Sequence, residues 1–161
     1  MLIQTREEFE DALESIRNIP IIALDTETNI APRWDRYLVG FSYYGIDSRS
    51  GQVKTGYFPF RHNHNRALFP DGENLPYGWL KEIEEVITEH IASKTFVFHN
   101  AKFDIPVFKK EGIDLDKVMY WDTMLMAHYV DENQFNFGLK PHPRVNSCCK
   151  SHLGNPNISW T

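Results

Sequence analysis

The sequence predicts an α/β fold in which a mixed sheet of about five strands, the first three antiparallel, is flanked by helices. Three observations predict it. The short apolar run Ile21 to Thr26 stops after a strand's length instead of continuing with helical period. Two more strand candidates follow it with only loop between them, as in hairpins. From residue 76 onward, helical segments alternate with short strands, as in crossover units of a sheet.

Thr5 and Glu8 stand at capping-box spacing, and Phe9, Leu13 and Ile16 recur at helical period, so a helix is expected from about 6 to 17, closed near Asn18 and Pro20. Ile21 to Thr26 reads as a strand covered on both faces, with further strands at Leu38 to Tyr44 and Gly56 to Phe60. Residues 61–76, rich in His, Asn, Pro and Gly, read as a loop. Leu80, Ile83, Val86, Ile87 and Ile91 place a helix over Pro76 to Ala92, and Thr95 to Phe98 is a strand. Asn100 is expected to cap a helix that runs through Glu111 and stops at Gly112, with Phe103, Val107 and Phe108 inward. A strand near Val118 to Trp121 and a helix from Thr123 to Val130 complete the pattern. Beyond Gly138, the residues Pro141, Pro143 and Pro156 interrupt any long helix, so the C-terminal part reads as incomplete.

At 161 residues, 42% of them apolar, the chain has the size and composition of one domain over 1–161 with a sizeable core. No stretch approaches the roughly 18 apolar residues that span a bilayer, and the acidic, amphipathic N-terminus is unlike a signal peptide, so a cytoplasmic chain with no membrane partner is expected. The two cysteines, Cys148 and Cys149, are adjacent, a spacing that suits neither zinc nor an ordinary disulfide. A net charge of −5 argues against nonspecific nucleic-acid binding through a broad basic surface. It leaves room for a nucleic-acid enzyme whose carboxylates hold cations.

Asp25 and Glu27 are i and i+2 on a strand, so both leave one face, about 6 to 7 Å apart along it. Two carboxylates so placed repel unless a cation lies between them, and hard oxygen ligands suit Mg²⁺ or Mn²⁺. The second Asp-x-Glu triplet, Asp71 to Glu73, lies in a Pro/Gly loop with no strand before it and reads as a solvated turn. In "VFHNAKFD", residues 97 to 104, a strand is followed by Asn100 and Asp104 at i and i+4 on one helix face. Asp122 repeats the pattern after a third strand and also reads as a helix N-cap. His62 and His64 read as solvated loop side chains.

"LDTETN", then "HNAKFD" about 75 residues later, then "WDTMLMAHYV" and "GLK" resemble the 3′-to-5′ exonuclease domain of family A DNA polymerases, over about residues 19 to 140. That family belongs to the DEDD exonucleases of ribonuclease-H-like fold. The resemblance implies a two-metal hydrolysis releasing nucleoside monophosphates from a single-stranded or frayed DNA 3′ end, in the company of a polymerase domain or subunit. It assigns Asp25, Glu27 and Asp104 as catalytic metal ligands, Thr26, Thr28, Asn100 and Phe103 to the terminal nucleotide, and Asp122 a supporting role. Arg33, Trp34 and Arg36 fall in a loop that an arriving 3′ end could meet.

The family also has a third motif, Tyr or His followed four residues later by Asp. Tyr120, Tyr129, His142 and His152 lead instead to Met124, Asn133, Asn146 and Pro156, and His128 to Glu132 falls within or just after the helix that precedes that motif. The expectation is therefore a segment or truncated form of a DNA polymerase, lacking the third-motif helix and weak or inactive alone. Two alternatives stand beside it: a noncatalytic remnant that binds nucleic acid or protein, and an RNase D-like RNA-trimming exonuclease.

Overall fold

The computed structural model describes residues 1–62, 74–89, 91–133 and 137. Residues 64, 71–73 and 138–161, with the second Asp-x-Glu triplet, His64, both cysteines and "GLK", lie outside the described residues.

Helix α1 spans Arg6–Asn18, and strands β1 (Ile21–Thr28), β2 (Leu38–Ile46) and β3 (Val53–Pro59) follow. Then come α2 (Leu80–Glu89), β4 (Thr95–Phe98), α3 (Ala101–Lys110), β5 (Met119–Asp122) and α4 (Thr123–Val130). The five strands form one sheet in the order β3-β2-β1-β4-β5. β1, β2 and β3 pair antiparallel, while β4 and β5 extend the sheet parallel to β1. This is the mixed sheet that the sequence predicts, and β1 is its centre.

Local chemistry accounts for the elements. Thr5 and Glu8 make both bonds of the capping box, satisfying orphan N–H groups at the start of α1. The other end of α1 is closed from a distance: the buried Lys94 Nζ donates to the carbonyls of Ile16, Arg17 and Ile19 at 2.6, 3.1 and 2.8 Å. Helical carbonyls that lack an intrahelical partner are thereby satisfied. The core is aromatic, with Phe41 stacked on Phe58 at 4.9 Å and set edge-on to Phe108 at 5.2 Å, so that α3 is packed against the β1–β3 hairpins.

Three expectations change. β1 is not covered on both faces: Ile22, Leu24 and Thr26 are buried, but Ile21, Asp25 and Glu27 are exposed, and it alternates with period two. It also runs on to Thr28, because β2 continues beside it through a register shift between Glu27 and Thr28. The helix expected from Pro76 to Ala92 is broken into a 3₁₀ turn at Tyr77–Trp79, α2, and a 3₁₀ turn at Ile91–Ser93. Among the described residues no helix is long and apolar enough to cross a membrane.

Candidate active site

The site forms where β4 stops accompanying β1. The two strands pair only from Ile21 to Ala23, and the chain leaves β4 through His99 and Asn100 into α3. Beyond Ala23, β1 has a strand neighbour on one side alone. Asp104, in the first turn of α3, takes up the vacancy: Thr26 donates its N–H at 3.0 Å and its hydroxyl at 2.6 Å, both to Asp104 Oδ1. Asp104 is 2% exposed and Thr26 is 6% exposed. Thr26 therefore holds the second acidic residue against the strand that carries the first. Asp25 and Glu27, one residue to either side of Thr26, project from the opposite face of the strand.

Asp104 is buried near the carboxylates of Asp25 and Asp122. Burial pushes the Asp104 carboxyl up to about 6, the negative charges of Asp25 and Asp122 add to the rise, and the two Thr26 bonds oppose it. The Asp25 carboxyl is reached by solvent, yet the protein mass around it raises it above the usual range, an effect that the nearby His99 imidazole partly offsets.

A second carboxylate organises the turn between β4 and α3. Asp122 Oδ1 accepts N–H bonds from Asn100 (3.0 Å), Met124 (3.0 Å) and Leu125 (3.4 Å), while Oδ2 accepts from Ala101 at 2.9 Å. One side chain thus caps α4 and also clamps the start of α3. Burial would raise its carboxyl, but the four N–H donors hold it below the usual carboxylate range. The expectation that Asn100 caps α3 is corrected here. Asn100 adopts a left-handed φ of 79° and makes no side-chain cap bond, because Asp122 satisfies the local N–H groups instead. Among the described residues its buried Oδ1 has no hydrogen-bond partner.

Sequence reasoning missed His99 and Tyr57. The Thr123 hydroxyl donates to the Phe98 carbonyl at 3.1 Å, so its oxygen is left to accept from His99 Nδ1 at 2.9 Å. His99 Nε2 is the ring atom left over, buried and without a partner among the described residues. Asp25 pairs across the sheet with Ser42, which on its other side pairs with Tyr57, and the Tyr57 phenol bonds His62 Nε2 at 2.6 Å. His62 is thus no solvated loop residue. Gly40 makes room for the phenol, since a Cβ there would lie 2.2 Å from Tyr57 Oη. Gly40 is also the cross-strand partner of Glu27, which brings the phenol beside that carboxylate. Burial, then the charges of Glu27 and Asp25, push the phenol above its usual range, so it stays protonated as a donor. The hydrophobic pattern gave no signal for either residue; only the His before Asn100 in "FHN" was visible.

Of the remaining predicted residues, Thr28 is half-buried opposite Leu38, and Phe103 is half-buried with the Arg36 guanidinium 4.9 Å from its ring centre. The donor set suits a hard divalent cation in kind, being all carboxylate oxygen with like charges crowded together. Among the described residues, however, no group of three or more His, Cys, Asp or Glu side chains is gathered closely enough to hold a metal ion. Asp25 and Asp104 feel each other's charge, and the Glu27 charge acts on the Tyr57 phenol.

Comparison with known proteins identifies the family and the fold. A family model described as a 3′-5′ exonuclease, of the DNA polymerase A type, matches residues 1–141. The DNA polymerase of Escherichia phage T5 is 26% identical over 141 residues, which cover 83% of this chain. The chain spans 14% of that relative's length. Among solved structures, the RNase domain of the yeast Pop2 protein superposes with a TM-score of 0.64 at 10% identity, covering 98% of this chain and 78% of that one. Escherichia coli RNase D superposes with a TM-score of 0.54 at 19% identity, covering 100% of this chain and 36% of that one. The EXO domain of Aedes aegypti Nibbler gives 0.55 at 12% identity, covering 99% and 76%. At these identities the likenesses establish the fold, which is that of the ribonuclease-H-like exonucleases.

Proposed function

The chain belongs to the 3′-5′ exonuclease family of the DNA polymerase A type, and from that premise we propose that it forms one exonuclease domain whose site removes nucleotides from single-stranded or frayed DNA 3′ ends beside a polymerase domain or subunit. The observation that carries the reading is the placement of Asp104, tied through Thr26 to the strand that presents Asp25 and Glu27. Asp25 and Asp104 lie close enough for each charge to act on the other, a repulsion that a hard cation would relieve.

In this reading Asp25, Glu27 and Asp104 are the metal-facing residues. Mg²⁺ or Mn²⁺, when bound, supplies Lewis-acid stabilisation of the phosphoryl oxygens and a hydroxide nucleophile at neutral pH. The chain's own residues do the rest. Thr26 fixes the Asp104 rotamer, leaving Oδ2 outside its two bonds. Asn100, held in its left-handed turn by Asp122, offers Oδ1 to a sugar hydroxyl of the terminal nucleotide. Thr28 and Phe103 border that nucleotide, and the neutral Tyr57 phenol stands by Glu27 as a proton donor. A terminal nucleotide that must reach carboxylates on β1 and α3 cannot stay paired, which favours frayed or single strands, and aromatic stacking can offset the cost of unstacking.

The test is degradation of 3′-labelled single-stranded DNA and RNA in Mg²⁺ and in Mn²⁺, beside Asp25→Ala. The Asp25 side chain is exposed and makes no hydrogen bond among the described residues, so the variant is expected to fold and to lose at least about a hundredfold in rate. Mononucleotide release that persists in Asp25→Ala, or no release from the parent chain, refutes the reading; faster loss of RNA than DNA would favour the RNase D-like alternative.

A further inference from the structure

We propose that His62 and Tyr57 form a positioning pair for Glu27, in which the imidazole holds the phenol and the phenol holds the carboxylate in place on β1. The inference rests on the exonuclease reading, in which Glu27 faces a metal ion, and adds to it two residues that no predicted motif covers. Glu27 is the acidic residue that needs such support. Two bonds from Thr26 fix Asp104, whereas Glu27 is exposed and carries its carboxylate on a longer side chain with more rotamers to lose. A ligand that must first be ordered binds a cation less tightly than one already in place, and groups that hydrogen-bond the ligands supply that order.

The sheet brings the phenol within reach. Gly40 on β2 stands directly across from Glu27, and opposed Cβ positions on antiparallel strands lie about 5 Å apart. The Tyr57 oxygen takes nearly the place that a side chain at residue 40 would fill, 2.2 Å from where its Cβ would be. It therefore lies roughly 5 Å from the Glu27 Cβ, and the rest of the glutamate side chain closes that gap to hydrogen-bond length. Of the two carboxylates whose charge acts on the phenol, Glu27 acts more strongly than Asp25. Burial and those charges keep the phenol protonated, so it has one hydrogen to donate.

His62 decides where that hydrogen points. Its Nε2 lies 2.6 Å from the phenol oxygen, with the two ring centres 5.6 Å apart. If Nε2 accepts, the phenol hydrogen is turned away from Glu27. If Nε2 carries a hydrogen, the phenol oxygen accepts it and the phenol's own hydrogen is left for the carboxylate. Charge selects the second arrangement, because a hydrogen bond to an ionised acceptor is about twice as strong as one between neutral groups. The chain from His62 through Tyr57 to Glu27 also gains because each bond polarises the next. The imidazole has its own anchor: the His62 N–H donates to Asn74 Oδ1 at 2.8 Å, and Asn74 Nδ2 donates to the His62 carbonyl at 2.9 Å. The next residue, Leu75, donates its N–H to the Pro59 carbonyl at 2.7 Å, so this anchor is fastened to the end of β3.

The experiment reads the imidazole first and the cation second. In EDTA at about pH 8, where a histidine of ordinary pKa is neutral, nitrogen-to-proton correlation spectra of the full chain should show the His62 hydrogen on Nε2, and Glu27→Gln should shift the His62 ring signals. A hydrogen on Nδ1 instead, or ring signals that ignore Glu27→Gln, overturns the pair. Mn²⁺ binding without DNA is then measured by electron paramagnetic resonance. Tyr57→Phe and His62→Leu should each weaken it about tenfold, and His62→Gln, whose amide keeps a donor near the place of Nε2, should regain most of the loss. Tyr57→Phe/His62→Leu should bind no more weakly than either single variant, since His62 acts through the phenol. Unchanged Mn²⁺ affinity in a folded Tyr57→Phe overturns the pair, as does a double variant about a hundredfold weaker than the parent, which would mean that His62 acts by itself. In the degradation assay kcat should fall about tenfold with KM for single-stranded DNA unchanged. Circular dichroism checks folding, and the ring spectra, which need no change at Tyr57, decide the matter if Tyr57→Phe does not fold. Degradation that depends on Asp25 but ignores Tyr57→Phe refutes the pair alone. A parent chain that binds no Mn²⁺ or degrades no DNA refutes the exonuclease reading, and the ring spectra still decide the pair.

Discussion

Asp104→Asn is expected to stabilise the metal-free protein at neutral pH. The Asp104 carboxyl titrates at about 6 in the folded chain, against about 3.9 in an unfolded one. A difference of about 2 units at about 1.4 kcal/mol each makes the burial of its charge cost up to about 3 kcal/mol at pH 7.5. Asparagine keeps the oxygen that accepts both Thr26 bonds and removes the charge. The sign follows from linkage: between about pH 4 and 6 the folded state binds more protons than the unfolded state, so parent stability falls as pH rises through that window. Asp104→Asn lacks that slope. Its advantage should be about 2 to 3 kcal/mol at pH 7.5, a rise in Tm of about 5 to 10 °C for a chain of this size, and should close as pH falls to 4. Urea denaturation in EDTA at pH 4, 5, 6 and 7.5 measures it. A variant less stable than the parent at pH 7.5, or a difference that does not change with pH, would show that Asp104 is already well paired and remove the physical ground for calling it a cation ligand. Activity should fall in the same variant, the usual trade-off at a strained site.

Three further perturbations probe the scaffold. Asp122→Ala removes the acceptor of four N–H groups and should cost about 2 to 4 kcal/mol in urea melts; because its carboxyl is held low, that cost should be present above about pH 4 and shrink as pH falls below it. Gly40→Ala would put a Cβ 2.2 Å from Tyr57 Oη and 2.7 Å from the Phe58 carbonyl oxygen, so thermal melts should show a loss of about 1 to 3 kcal/mol, only partly recovered by adding Tyr57→Phe because Cζ would still lie 2.6 Å away. Lys94→Met deprives three carbonyls at the end of α1 of their donor, with an expected loss of about 2 to 3 kcal/mol by urea denaturation and faster amide exchange in the last turn of α1.

The antiparallel pairing of β1 to β3, the capping of α1 and the order of elements were legible because each depends on residues close in sequence. Thr5 and Glu8 are three apart, and the period-two and period-3.6 patterns extend over single elements. The even burial expected of β1 failed at Ile21, Asp25 and Glu27, since a continuous apolar run does not say how many faces of a strand other elements cover. Likewise "HNAKFD" marks Asn100 and Asp104 as a unit, but not that Asp122, 22 residues away from Asn100, would take over the cap.

By itself, the sequence determined the α/β class, the central strand with its two carboxylates, and membership of an exonuclease family, because motif spacing and hydrophobic period are one-dimensional quantities. The tertiary structure alone decided what those residues touch. Thr26 meets Asp104 across 78 positions, and Lys110 holds the turn at Arg33 across 77. Hydrogen bonds and Coulomb forces act over a few ångströms in space, so which charges become neighbours is settled only when the chain is folded.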